Sequence, residues 1–218
     1  MKSSVYVGVA VLAAAAGFGI YHFAVAPRMN ATPAAAETTA AADPATEESS
    51  GVPDVLPDFT LGDIDGQPRS IRSWQGKSMI VNFWATWCAP CRREIPLLKK
   101  IQAEHGAEGF QIVGVAVDFR DDVVKYAKDI GIDYPVLIGE EDGLEAVNKF
   151  GQGSLGFPFT VFTDNQQRIV VFHLGEIHEP EAEVLLDAVR KVNSGELTPA
   201  AARVVVAKQL QQAEAAGE

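Results

Sequence analysis

Cysteine is nearly absent: 218 residues contain two, Cys88 and Cys91, separated by two positions. This scarcity excludes a disulfide framework, and it leaves no second cysteine pair to complete a zinc site. The four histidines, His22, His105, His173 and His178, stand at no recognisable ligand spacing, so a resident metal is not expected. Basic residues are also in deficit, with 18 Lys and Arg against 29 Asp and Glu for a formal charge of -11. Such a chain repels phosphates, which excludes nucleic acid as a partner. No Lys or Arg occurs from Met29 to Pro68, whereas Glu37, Asp43, Glu47, Glu48, Asp54 and Asp58 do. An anionic membrane surface would repel that arm.

One long apolar run is present. Val5 to Ala26 carries no formal charge apart from His22, and 22 residues at about 1.5 Å each can cross a hydrocarbon core of about 30 Å. Tyr6 and Tyr21 lie near its two ends, where amphipathic rings favour the interface. Ala24-Val25-Ala26 has the small-x-small form of a signal cleavage site, but Pro27 would follow the cut and the run is longer than a usual signal core. The expectation is therefore an uncleaved anchor over residues 1–28 with the rest of the chain outside the cytoplasm. Residues 29–53, rich in Ala, Thr, Pro, Glu and Ser without apolar periodicity, read as a disordered linker. A folded domain is expected over 54–195, and 196–218 reads as a helical or mobile tail in which Pro199 suits a first turn.

The chemistry concentrates in Phe83-Trp84-Ala85-Thr86-Trp87-Cys88-Ala89-Pro90-Cys91-Arg92-Arg93-Glu94. An apolar strand, Met79 to Trp84, ends here and a helical pattern begins, with Ile95, Leu98 and Ile101 as its apolar stripe and Pro96 predicting a kink. A cysteine pair at that junction reads as a redox site. Unsatisfied N–H groups and the positive end of the helix dipole stabilise a thiolate at Cys88, and Cys91 lies one turn further in. A structural disulfide closing so short a loop would gain little stability, and two merely packed cysteines would not favour an electropositive helix start.

The remaining elements follow from periodicity. Asp58 to Leu61 and Ser70-Ile71 bracket the Asp65-Gly66 turn signal, predicting a hairpin. Phe110 to Val117 is almost continuously apolar, as a strand covered on both faces should be. Asp121 or Asp122 could cap a helix that stops at Gly131; Tyr134 to Ile138 reads as a short strand, and Asp142 opens a short helix that ends before Gly151. Phe159 to Thr163 and Arg168 to Leu174 form a second hairpin, and Glu179 to Asn193 a closing helix. Alternating strands and helices imply parallel pairing through right-handed crossovers.

From about Pro57 to Val192 the chain resembles the TlpA/ResA-like branch of the thioredoxin superfamily, membrane-tethered extracytoplasmic thiol-disulfide oxidoreductases. The resemblance rests on Asn82 through Cys91, on Pro96, on Gly156-Phe157-Pro158, on the amino-terminal hairpin, and on the long interval between Cys91 and Pro158. It implies an α/β domain of thioredoxin-like fold: a central mixed sheet flanked by helices, with an amino-terminal hairpin and a central insertion. It also implies a cis Phe157-Pro158 bond beside the disulfide, where an extended substrate could pair with the backbone of Phe157. The ring of Phe157 either shapes that groove or packs in the core.

On this reading Cys88 is the nucleophile and Cys91 the resolving thiol, with no cofactor beyond their disulfide. Thioredoxin is similar but carries an aspartate where Asn82 stands, and an amide cannot act as a base. Glu94 matches the active-site glutamate of ResA-like proteins and is the expected proton acceptor; otherwise it favours the helix dipole alone. Trp84 and Trp87 are expected as a packed shelf around the site, with Trp87, Pro90, Phe157 and Pro158 on the substrate side. Arg92 and Arg93 are expected mainly to solvate a helix face.

The Ala-Pro dipeptide between the cysteines looks like that of reducing members, which implies protein disulfides as substrates and a membrane thiol reductase as electron donor. Apocytochrome c cysteines and copper-site assembly proteins are the family's substrate classes. The expected protein is a monomer in the inner membrane, its catalytic domain in the periplasm or an equivalent extracytoplasmic space. The rival reading is a copper-binding metallochaperone using both thiolates, with His173 or His178 as further ligands. The Pro-x-x-x-Thr-x-x-Cys pattern of peroxiredoxins is absent, and no dimerisation segment of the kind an isomerase would need is evident.

Overall fold

A computed structural model describes residues 51–151 and 156–217. The predicted anchor, 1–28, and most of the predicted linker, 29–50, lie outside the described residues. The chain forms strands β1 (Thr60–Asp63), β2 (Pro68–Ser70) and β3 (Ser78–Trp84), then helix α1 (Ala89–His105) and strand β4 (Phe110–Val117). Helix α2 (Arg120–Ile130), strand β5 (Val136–Gly139) and helix α3 (Glu141–Asn148) follow, then strands β6 (Phe159–Thr163) and β7 (Ile169–Leu174) and helices α4 (Glu179–Asn193) and α5 (Pro199–Gly217).

The strands make one mixed sheet in the order β2-β1-β5-β4-β3-β6-β7. Its middle three, β3, β4 and β5, are parallel. The edges are antiparallel: β1 pairs with β2 and β5 on one side, and β6 with β3 and β7 on the other. This is the expected thioredoxin-like arrangement, with α2, β5 and α3 inserted between β4 and β6. β3 is buried at every position because it lies in the sheet interior with both faces covered. Its period of two divides the core: Ile80 and Trp84 face α1 and α4, while Met79, Val81 and Phe83 pack with Phe150 and Phe159. Asn82 lies on the first of these faces, opposite Thr160 of β6 and Gly114 of β4.

Most predicted elements appear where expected, with instructive shifts. The amino-terminal hairpin forms, but Ile71 begins a 3-10 turn rather than extending its second strand. α2 is capped by neither Asp121 nor Asp122. Its N-cap is Phe119, whose N–H donates to the Asp118 carboxylate, so the two predicted caps fall inside the first turn, where they still favour the dipole. β5 begins at Val136, two residues later than expected, because Pro135 has no N–H to give a ladder. α3 begins at Glu141, one residue before Asp142. Pro96 lies inside α1, which continues to His105.

The carboxy-terminal tail packs. Ala202 and Val206 of α5 are buried in the core on the α4 side, and Arg203 donates to the Ile169 carbonyl at 2.7 Å. α5 therefore joins the domain at β7 and α4.

Candidate active site

β3 delivers the chain to the sheet's carboxyl edge, and the turn Ala85–Trp87 passes it into α1. Cys88 is the N-cap of that helix, extended at φ -81 and ψ 107, and its Sγ accepts from the Cys91 N–H at 3.3 Å. A sulfur thus takes the place that a serine or aspartate oxygen usually fills, among helix donors that favour negative charge. Pro90 fits the first turn, where its missing N–H leaves no helical bond unmade. Cys88 and Cys91 are joined as a disulfide with Cα atoms 5.3 Å apart. Cys91 is fully buried, whereas Cys88 keeps a trace of exposure beside Trp87, 67% exposed.

The turn is held from β4. One carboxylate oxygen of Asp118 accepts from both the Thr86 N–H, at 2.9 Å, and the Thr86 hydroxyl, at 2.5 Å. Asp118 was not singled out from the sequence. The available signal was its place: an acidic residue at the carboxyl end of a buried parallel strand, where α/β sheets build sites.

Glu94, one turn past Cys91, is buried. Its Oε1 accepts from the Asn82 side-chain amide at 2.7 Å and its Oε2 from the Ile177 N–H at 3.0 Å. Burial pushes the carboxyl up to about 7; the two hydrogen bonds oppose that shift and the neighbouring Glu176 charge adds to it. Glu176 in turn accepts from Arg93 at 2.9 Å, so Arg93 is engaged rather than merely solvating a helix face. Asn82 also donates to Thr160 Oγ1 at 2.9 Å, and its own Oδ1 has no partner among the described residues. Sequence reading missed Thr160 and Ile177 because they lie about 80 residues from their partners, and no local pattern encodes such a bond. Tyr134, buried with an unpartnered hydroxyl, has its phenol pushed up by burial first and by the Glu94 charge second.

An Asn82→Asp variant would place a second carboxyl on Glu94. Two such acids cannot both ionise cheaply, so the pair's upper apparent pKa should exceed that of Glu94 alone by at least about one unit. Carboxyl carbon NMR against pH would record the shift; a titration unchanged from the parent would mean the two groups do not share a proton.

The Phe157-Pro158 bond is cis. The half-buried Phe157 ring lies 6.0 Å from Trp87 and 6.3 Å from Phe159, so it links the surface of the site to the core rather than choosing one of them. The expected tryptophan shelf is split. Trp84 is fully buried against Tyr126, because β3 is covered on both faces, and of the two only Trp87 reaches the surface. His173 lies on β7 with a buried, unpartnered Nε2, and His178 caps α4. Cys88, Cys91, Glu94, Trp87, Pro90, Phe157 and Pro158 therefore gather at one end of the sheet.

A family model described as the AhpC/TSA family matches residues 52–172. The chain belongs to the AhpC/TSA family. Within it, the similarity is to thiol-disulfide oxidoreductases of the ResA type. Thiol-disulfide oxidoreductase ResA of Geobacillus thermodenitrificans is 29% identical over 135 residues, which cover 62% of this chain and 75% of that one. Thioredoxin-like protein YneN of Bacillus subtilis is 32% identical over 137 residues, covering 60% and 76%. Among solved structures, a thioredoxin-family thiol:disulfide interchange protein of Chlorobium tepidum shares 33% identity with a TM-score of 0.56, over 63% of this chain and 96% of that one. A secreted thiol-disulfide isomerase of Corynebacterium glutamicum shares 27% at a TM-score of 0.53, over 61% and 85%. The chemistry of this family member is thiol-disulfide exchange at the Cys88–Cys91 pair.

Proposed function

We propose that the protein is a reductant of protein disulfides on the extracytoplasmic side of a membrane, held there by Val5–Ala26. The observation that carries this reading is Glu94, buried one turn beyond Cys91 and poised near neutrality. In the reduced protein the Cys88 thiolate attacks a substrate disulfide: a Cys88–substrate bond forms, the substrate bond breaks, and one substrate thiolate leaves and takes up a proton. Cys91 then gives its proton to the Glu94 carboxylate and attacks Cys88 Sγ. The Cys88–Cys91 bond forms as the second substrate thiolate leaves, so two electrons have passed to the substrate. A membrane dithiol reductase restores the pair, and no further cofactor takes part.

The substrate lies extended along Phe157 and Pro158, bounded by Trp87 and Pro90, as an added strand would. The Ala-Pro dipeptide, without a histidine to stabilise the thiolate further, favours the reducing direction. Cysteines of apocytochrome c or of copper-site assembly proteins are the substrate classes that this reading places first, and the working form is a monomer.

An equilibrium redox titration followed by tryptophan emission tests the direction. A midpoint below about -240 mV is expected, and one above about -180 mV would make the protein an oxidant or isomerase. Absence of any reversible two-electron transition would instead favour copper binding by the two thiolates.

A further inference from the structure

Against Trp87, the residue before Cys88, lies an open groove of about 370 Å³ whose walls come from four separate segments. Trp87 precedes α1, Phe119 follows β4, Leu144 lies on α3 and Phe157 precedes the cis proline. Trp87, Phe119 and Leu144 are 67%, 64% and 51% exposed. Large apolar side chains that converge while still exposed mark an interaction surface rather than a core.

The rim is acidic. Asp118, Glu140 and Glu141 line the same groove, and none of them forms an ion pair with a described residue. Arg120 borders the far side of Asp118 and Glu140 but forms an ion pair with neither, its guanidinium being held in place by the Asp63 and Ile64 carbonyls. Asp118 accepts only neutral donors, from Thr86 and Phe119, which leave its charge uncompensated. A second copy of this chain, at a formal charge of -11, would be repelled.

We propose that this groove receives an extended polypeptide segment carrying an apolar side chain beside its reactive cysteine and one or two Lys or Arg residues facing Glu140 and Glu141. The proposal rests on the disulfide-exchange reading above and adds the substrate's sequence character. The apolar side chain enters between Trp87, Phe119, Leu144 and Phe157, while the cations supply the charge that the rim lacks. Charge complementarity of this kind acts mainly on encounter rate and on discrimination between partners. The insertion between β4 and β6 thereby acquires a role, since it contributes Glu140, Glu141 and Leu144.

The test is binding of short peptides in which serine replaces cysteine, so no redox step enters. One peptide carries Leu next to the serine and two Lys residues; a second has Glu in place of Lys. With the full chain at about 20 mM salt, the Lys peptide should bind about tenfold more tightly than the Glu peptide, the sum of two partly exposed ion pairs. At about 0.5 M salt the ratio should drop below about threefold. Glu140→Gln with Glu141→Gln should bring it within about twofold at low salt, and Leu144→Ser should weaken both peptides alike by about fivefold.

Equal affinities at low salt, a preference indifferent to salt, or one that survives the double substitution would each overturn the proposal, as would no binding of either peptide. The salt series on the unaltered protein decides even if a variant fails to fold. Because the peptides contain no sulfur, these outcomes are separate from the redox titration, which decides the reading beneath them.

Discussion

In a Glu94→Gln variant the exchange rate at pH 7 to 8 should fall by about two orders of magnitude, the usual contribution of a positioned base. Its pH profile should also lose the inflection near 7. Cys91 is fully buried, so its proton needs an acceptor that is itself buried and near neutrality, as Glu94 is. The substitution is structurally tolerable. Asn82 Oδ1, unpartnered in the parent, can accept from the new amide if the Asn82 side chain turns over.

The same carboxyl makes stability depend on pH, with a definite sign. Its pKa is raised on folding from about 4.5 to about 7, so the folded state binds more protons between those values. The stability linked to its neutral form is therefore fully present below about pH 4.5 and is lost as pH rises through about 7. At about 1.4 kcal/mol per pKa unit, the loss should approach about 3 kcal/mol between pH 4.5 and 8. Urea unfolding of the oxidised protein across that range should show the decline, and the glutamine variant should flatten it. If parent and variant declined in parallel, Glu94 would not be the titrating group, and its place as proton acceptor would go with it.

The second large effect separates the two cysteines. Cys88→Ser should abolish exchange, a loss of at least about a thousandfold, because the only sulfur at the helix start and within reach of substrate is gone. Cys91→Ser should leave the first attack intact and halt the reaction there, accumulating a stable covalent adduct at Cys88 that intact-mass spectrometry would record. The asymmetry follows from burial: Cys91 has no exposure through which a substrate could reach it. An adduct on Cys91 in the Cys88→Ser variant would reverse the assignment.

Much of this site was legible beforehand because its parts are local. The helix start at Cys88, the proline in the first turn, the strand that precedes them and Glu94 three residues on are all consequences of short-range spacing. β4 and α4 occupy the ranges expected from them, since an almost continuous apolar run and a strong helical period leave few alternatives. Boundaries failed where a neighbouring group decided them: Asp118 engages Phe119 and Thr86 and starts α2 early, displacing the predicted caps at Asp121 and Asp122. The two tryptophans looked equivalent in sequence, yet Trp84 ends β3, a strand covered on both faces, and the following turn exposes Trp87.

The sequence by itself determined the redox pair, its place at a helix start and the order of strands and helices around it, because each depends on residues close together in the chain. Only the tertiary structure decided what Glu94 is. A glutamate in the first turns of a helix is ordinarily solvated, and this one is pushed toward neutrality because β3, β6 and the residues before α4 close over it, while the bonds from Asn82 and Ile177 hold the shift back. The acidic groove is likewise a product of folding, since its walls are brought together from four segments that share no local pattern. Desolvation and convergence are properties of packing, and the linear order of residues does not contain them.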